Sequence, residues 1–395
     1  MNSSEFNTYL ESIISTANEQ NLSSFDVSDL SKTWYFKQVR KVNILILKRI
    51  LLFPYNWLKK YKPESIRRFV KEKNFKYAQG HAMYIRGLVS YFKVIEEPDL
   101  LIKAKDAAEW LIQNRNPKFK NYAWGQPFLW YSSKGVIFPI NIPRTTVTSQ
   151  VAWAFLDLYE VTQEEKYLKI VQSICKLYIN DFNYQEDTNG NVCFSYTTID
   201  NYHVHNASLL AASVLSRAYR LTNNQSYRNY ARKSIDFTIS HQNEDGSFYY
   251  WAPPNKVNFV IDNYHTGFVV ECLKTIVDDF NDENYKMAYE KGLNFYFENL
   301  FEGPIPKLTP KKIHPIDIQS CAQSIITFAL DGRSKYLEKA KEIAAYSVNN
   351  FFIKEKSYFG YRIYQNGFRD RSYYFRWGDA WMIKALALLN EKESC

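Results

Sequence analysis

Two kinds of helix alternate along this chain, and that alternation limits the fold to a few geometries. One kind is amphipathic. "YLKIVQSICKL" from Tyr167, "YRNYARKSIDF" from Tyr227, "YKMAYEKGLNF" from Tyr285 and "YLEKAKEIAAY" from Tyr336 each open on Tyr. Each places an apolar residue eight positions on (Cys175, Ile235, Leu293, Ala344) and another at ten (Leu177, Phe237, Phe295, Tyr346), with charges on the remaining face. "LLIKAKDAAEW" from Leu100 fits the same frame. One buried stripe per helix is the mark of an element with one side in water. Their near-regular spacing is that of a repeat architecture. The other kind precedes each of these and is apolar around most of its circumference: 82–92, 148–159, 207–219, 267–277 and 321–330, with a sixth at 380–389. Such helices are walled in on several sides.

An open solenoid of these pairs would present two capping ends. A closed double ring, with the apolar helices inside the amphipathic ones, needs none. No amphipathic helix follows 380–389, so its outer partner must come from the first 75 residues, and the expectation is a helix within 37–73. The predicted fold is an all-α (α/α)6 toroid over 77–395. Short aromatic hairpins (121–131, 191–196, 245–251, 356–364) separate the repeats, and a basic amphipathic segment in 1–76 closes the ring.

In such a ring the inner helices all start around one central funnel. "IDNYHTGFVVECL" (261–273) shows what those starts carry: Asp262, Asn263, Tyr264 and His265 stand in a row before an apolar run. Aligning the other starts collects Gln79 and His81; Arg144, Thr145 and Ser149; His203, His205 and Asn206; His314, Asp317 and Gln319; and Arg376, Trp377 and Asp379. Five of the six histidines fall here. Asp, Asn, Ser and Thr cap helices wherever helices begin, but His and Arg are poor caps, and their recurrence asks for another reason. Carboxylates, imidazoles, amides, guanidinium groups and aromatic rings together suit a sugar. Asp262, Asp317, Asp379, His205 and His265 are the candidate proton carriers, with Glu271 as a further carboxylate at the funnel floor. His81, Arg144, His203, Asn206, Asn263, Tyr264, Trp251, His314, Gln319, Arg376 and Trp377 are the candidate binding residues. Arg144 and Arg376 would suit the carboxylate of an acidic sugar.

"QNEDGSFYYW" (242–251) is similar to the Q-x-x-D-G-x-aromatic turn of the six-hairpin (α/α)6-toroid group of carbohydrate-active proteins. "FRWGDAWMIKAL" (375–386) resembles the closing helix of that group. The group includes inverting glycoside hydrolases, unsaturated-uronyl hydrolases and the toroid domains of polysaccharide lyases and epimerases. The chain also resembles toroid proteins found in bacterial surface-polysaccharide gene clusters. The resemblance implies hydrolase, lyase or epimerase chemistry on an acidic or lipid-linked oligo- or polysaccharide, without a cofactor. The leading alternative is a toroid that binds glycans without turning them over.

Other classes fit less well. "DDFND" (278–282) matches the DDxxD of prenyl and terpene cyclases, whose toroids bind diphosphate through magnesium, but it sits at the far end of an inner helix. No metal is expected, because Cys272 and Cys321 have no His at ligand spacing. The five cysteines are odd in number and scattered, which fits reduced thiols, and the start of the sequence is polar and acidic; a cytoplasmic protein is expected. The net charge of +9 is local: residues 37–73 hold twelve Lys or Arg against two Glu. One basic segment beside a neutral body is not a nucleic-acid footprint. Within it, "VNILILKRILLFPYNWLKKYK" (42–62) interleaves apolar and basic residues, and Pro54 should kink or end its helix. This segment has two compatible readings: the missing outer helix, and a surface for anionic lipid at the inner leaflet with Phe53, Tyr55 and Trp57 at headgroup level.

Overall fold

A computed structural model describes residues 3–27, 29–61, 63–69, 73–131, 136–253 and 260–394. Lys62 and Lys71 of the basic segment, and Cys395, lie outside the described residues. The helices in chain order are α1 (Ser3–Glu19), α2 (Trp34–Arg40), α3 (Leu45–Tyr61), α4 (Pro63–Phe69), α5 (Ala78–Ile95), α6 (Pro98–Gln113), α7 (Thr145–Thr162), α8 (Glu165–Asn180), α9 (His205–Thr222), α10 (Gln225–Ile239), α11 (Asn263–Phe280), α12 (Glu283–Asn299), α13 (Ile318–Asp331), α14 (Ser334–Phe351) and α15 (Asp379–Ser394). Helices α5, α7, α9, α11, α13 and α15 pack neighbour to neighbour, and α15 returns to α5. Helices α6, α8, α10, α12 and α14 lie outside them. The fold is an (α/α)6 toroid.

The connections explain why the two ends of the ring differ. Each of α5, α7, α9, α11 and α13 ends on a residue in the left-handed region (Glu96, Gln163, Asn223, Asn281 and Gly332), and the outer helix starts after a two-residue link. That tight reversal uses the left-handed cap geometry that stops a helix. The return from outer to inner helix is long every time and carries short antiparallel strand pairs at 130–131 with 137–138, 184–186 with 192–194, 301–302 with 305–306, and 352–353 with 358–359. The expected aromatic stretch at 245–251 contributes a bridge from Trp251 to Val204 rather than a hairpin of its own. All the long loops therefore gather at the N-terminal ends of the inner helices.

The sixth outer helix is α1, from the first 75 residues as ring closure requires, and not the expected helix within 37–73. Its Phe6, Leu10, Ile13, Ile14 and Ala17 are buried in the main core. Asn390 Nδ2 of α15 donates to Asn7 Oδ1 at 2.8 Å. Its 4-3-4 apolar spacing is a complete buried stripe, masked in the sequence by the polar residues between. The seam between α5 and α15 is tight: a Cβ at Gly87 would stand 2.6 Å from Ile383 Cγ2 and 2.9 Å from the Lys384 nitrogen. Pro54 neither ends nor splits α3, which runs on to Tyr61. The residue stands on the exposed side of the helix, where water can take the carbonyl that loses its N–H partner.

Deeper in the ring, one polar knot ties five inner helices together. Arg86 of α5 reaches Asp157 at 3.1 Å and Gln150 at 3.1 Å on α7, and Glu271 of α11 at 3.4 Å. Arg217 of α9 pairs with the other Asp157 oxygen at 3.0 Å, and Gln323 of α13 donates to Glu271 at 2.9 Å. Burial opposes the charge of Asp157, but Arg217 and Arg86 outweigh it and hold the carboxyl well below its ordinary value. Glu271 thus belongs to a structural ion network beneath the funnel.

Candidate active site

The inner-helix starts enclose a cavity of about 170 Å³. Gln79 of α5, Arg144 and Thr146 at the start of α7, Asn206 of α9, Tyr264 and His265 of α11, and Arg376 and Trp377 before α15 line it, with Trp130, Tyr196 and Gln126 from the long loops. Its size is below the ~300–1,000 Å³ of drug-sized ligand sites, which suits one sugar residue rather than a chain.

The chemistry centres on His265. Asp262 is the N-cap of α11 and accepts the His265 backbone N–H at 2.9 Å. The same carboxylate holds His265 Nδ1 at 2.7 Å through Oδ2 and 3.0 Å through Oδ1. Burial works against the Asp262 charge, yet the adjacent imidazole and the hydrogen bonds from it keep the carboxyl below its ordinary value. An ionised Asp262 accepts Nδ1–H, which in a neutral imidazole leaves the lone pair on Nε2. The imidazole is half-buried beside Tyr250 (ring centroids 4.4 Å apart) and Tyr264 (4.6 Å). The imidazole is thus held by a carboxylate at the wall of the cavity.

Around it, polar atoms lack protein partners. Asn206 Oδ1, Gln126 Oε1 and Arg144 Nε are buried with no hydrogen bond from the protein. The Arg144 guanidinium lies over the Trp130 ring at 4.6 Å and the Tyr196 ring at 4.5 Å and donates to the Tyr196 hydroxyl. Among the described residues no carboxylate pairs with it.

Arg376 is different. Asp26 holds it at 2.8 Å and 2.6 Å, and Gln79 Oε1 accepts from it at 3.0 Å. Asp26 also accepts the Trp377 indole N–H at 3.0 Å. The N-terminal segment thus reaches the funnel rim and neutralises the guanidinium expected to receive a substrate carboxylate.

Several other expected site residues are placed elsewhere. His81 is buried and stacked on Trp110 at 4.0 Å, with Nδ1 on the Tyr77 carbonyl at 2.9 Å, and burial pushes its pKa down to about 3. His205 is buried among Phe237, His241 and Phe248, and burial likewise pushes it to about 3. Both are neutral core imidazoles rather than proton carriers in the funnel. Asn263 spends its amide on the Leu300 carbonyl, Tyr296 and Ser324. Asp317 caps α13 through the Ser320 N–H at 2.9 Å and meets Arg362 at 3.3 Å. His203 is buried on the strand-like bridge to Ser195, Trp251 packs on Tyr202 and Tyr250, Gln319 is buried in the first turn of α13, and His314 is half-buried ahead of that helix. None of these lines the cavity.

Asp379 is fully buried at the start of α15, where one oxygen accepts the Phe359 N–H at 2.9 Å. Burial raises its pKa to about 8, only partly offset by that hydrogen bond. It is a neutral structural acid at pH 7. An unfolded Asp titrates near 3.9, so between about pH 4 and 8 the native protein keeps a proton that the unfolded chain releases. Stability should fall as pH rises through that window. In denaturant titrations Asp379→Asn should lose this decline relative to wild type. Parallel pH profiles for the two proteins would contradict the assignment.

The loop residues Gln126, Trp130, Tyr196 and Tyr250, and Asp26 of the N-terminal segment, were not singled out from the sequence. The aromatic stretches before the inner helices were the available signal for the first four. Asp26 lies outside the repeat and carried none. The DDxxD match is also accounted for: Asp278 pairs with Lys274, Asp279 with Ser216 and Arg220, and Asp282 caps α12, all at the end opposite the funnel. Among the described residues no cluster of three His, Cys, Asp or Glu could hold a metal ion.

No family model and no curated relative matches the chain. Solved structures do. A cellobiose 2-epimerase from Bacillus thermoamylovorans aligns with a TM-score of 0.62 at 14% identity, covering 81% of this chain and 88% of that one. A GH76 α-mannanase from Bacteroides thetaiotaomicron gives 0.60 at 13% identity, over 80% and 86%. A D-mannose isomerase gives 0.57 at 11% identity, over 79% and 86%. At these identities the likeness is one of fold.

Proposed function

We propose that the funnel is the active site of a carbohydrate-active enzyme that moves a proton at the carbon beside a sugar carbonyl, as an aldose–ketose isomerase does. The observation that carries this reading is the Asp262–His265 pair, an imidazole oriented by a carboxylate on the lining of a cavity of about 170 Å³. Glycoside hydrolysis needs two carboxyl groups, about 5–5.5 Å or 6.5–9.5 Å apart across the scissile bond. Among the described residues no carboxylate lines the cavity beside His265 and Arg144; Asp262 and Asp26, which bond to lining residues, are engaged with the imidazole and with Arg376. One base serves both carbons in an isomerisation: it takes the C2 proton and returns one to C1 on the same face of an enediol intermediate, while the O2 proton passes to O1 through water. A 2-epimerisation would need a second proton carrier on the opposite face. Arg144 is suited to stabilise the enediolate oxygen as charge develops there, while Trp130, Tyr196 and Trp377 offer faces for the sugar ring.

Two solved structures with this fold bear the names of a sugar epimerase and a sugar isomerase, which supports a carbonyl-proton reading. An acidic sugar remains compatible through Arg144 alone, since Arg376 is already paired. A sugar joined to a lipid carrier through its anomeric carbon has no free carbonyl, so the expected lipid-linked substrate does not suit this chemistry; a free sugar of bacterial polysaccharide metabolism does, and four buried free thiols support a reducing compartment. The test is incubation with a panel of free aldoses, uronic acids, their ketoses and oligosaccharides, with products separated by chromatography. Interconversion of an aldose with its ketose, lost in His265→Gln, is the expected result. Release of sugars from an oligosaccharide with no isomer formed would replace this reading with a hydrolytic one, and binding without turnover would replace it with a glycan-binding toroid.

A further inference from the structure

Helix α3 shows water a face that a packed helix would hide. Ile46, Ile50, Phe53 and Trp57 fall at i, i+4, i+7 and i+11, one stripe of the helix, and are 71%, 63%, 70% and 48% exposed. The opposite face is the docked one: Tyr55 is buried with its hydroxyl on the Leu30 carbonyl at 2.6 Å, and Tyr35 donates to the Leu51 carbonyl at 2.7 Å. The helix is therefore seated, and its apolar stripe is left over. Trp34 of α2 and Phe69 of α4 are also exposed. Large exposed apolar patches mark interaction surfaces.

Charge says which partner fits. From residue 37 to 63 the sequence holds eight Lys or Arg and no Asp or Glu. At the C-terminal end of the stripe, a cleft of about 610 Å³ opens between α3, α4 and the last loops. Lys60, Arg68, Lys356 and Arg371 line it. One acid, Asp370, shares the lining and accepts the Ser372 N–H at 3.0 Å. The apolar stripe runs into this cleft without a break: Trp57 packs on Tyr61 at 5.4 Å and Tyr61 on Phe368 at 4.7 Å. Among the described residues Arg68, Lys356 and Arg371 have no carboxylate partner.

From this juxtaposition we infer that α2–α4 form a membrane-docking arm for an anionic phospholipid surface, the α3 stripe entering the headgroup layer and the cationic cleft receiving a phosphate-bearing head group. An apolar stripe flanked by Lys and Arg lies in the interface plane, and anionic leaflets attract such basic segments. No helix among the described residues is long and apolar enough to cross a membrane, so the contact is with one leaflet. The inference does not rest on the funnel reading.

The experiment is vesicle flotation of the full chain with phosphatidylcholine alone and with phosphatidylcholine containing phosphatidylglycerol. Wild type should float with the anionic vesicles at least about tenfold more than with the neutral ones, and high salt should release it. Ile50→Asp with Phe53→Asp should reduce flotation to background with an unchanged circular dichroism spectrum, since both side chains are exposed. Arg68→Gln with Arg371→Gln should weaken anionic binding by about tenfold and leave neutral binding unchanged. Three outcomes would each overturn the inference. One is absence from both vesicle types. Another is equal, salt-insensitive binding to both. The third is a concentration-dependent dimer in sedimentation velocity that Ile50→Asp with Phe53→Asp dissolves, which would assign the face to a second copy of the chain.

Discussion

Replacing His265 with Ala is expected to lower turnover of the funnel's sugar substrate by about 10²–10⁴-fold, the usual contribution of a positioned general base, while the protein folds as before. The fold should survive because His265 is half-buried at a helix start and the cap of α11 is the Asp262 side chain with the backbone N–H, which any residue supplies. Asp262→Asn separates capping from catalysis. Asn is as good a cap as Asp, so α11 should keep its start. Its amide could also present N–H to Nδ1 and favour the tautomer that puts the proton on the reacting nitrogen. A stable Asp262→Asn protein with turnover reduced on the same scale as His265→Ala is the expected pattern. Full activity in either variant, measured as product per enzyme at saturating substrate, would remove His265 from the mechanism.

Arg86→Met should be the most damaging single change to the ring. It deletes the hub of the knot beneath the funnel and strands Glu271, which keeps only the Gln323 amide at 2.9 Å as a partner. Breaking a buried ion pair from one side costs about 3–5 kcal/mol, because a charge is left uncompensated. Adding Glu271→Leu should recover part of that loss, since removing both charges is far less costly than removing one. Urea titrations of the two variants against wild type would measure it. A loss below about 1 kcal/mol for Arg86→Met would mean that water already reaches the knot.

The ring was legible because buried stripes repeat. The Tyr at each outer-helix start and the apolar positions eight and ten residues on are read from spacing alone, and the structure places Tyr167, Tyr227, Tyr285 and Tyr336 in the core. The closing helix was misjudged because α1 hides its stripe among Ser, Asn and Glu, whereas 42–62 advertises an apolar surface that turns out to face water. Apolar pattern reports which face could be buried, not against what.

The site was half legible for a related reason. The long loops bring the inner-helix starts together, and Arg144, Asn206, Tyr264, His265, Arg376 and Trp377, aligned from those starts, line one cavity. Sequence position does not say whether a side chain at a helix start points into the funnel or back into the wall. His81 and His205 turn into the wall, against Trp110 and Phe237. Asp379 turns to a loop N–H. Asp262 was the instructive case, since it is both a cap and the group that orients the base.

The fate of the C2 hydrogen tests the central claim most directly. An aldose substrate deuterated at C2 should react more slowly than its unlabelled form, and mass spectrometry and NMR of the product should find the deuterium moved to C1 or lost to water. His265→Ala should leave the label in place, because no base remains to remove it. A product formed by wild-type enzyme at equal rates from both substrates, with deuterium still on C2, would contradict proton transfer in the funnel and with it the role assigned to His265.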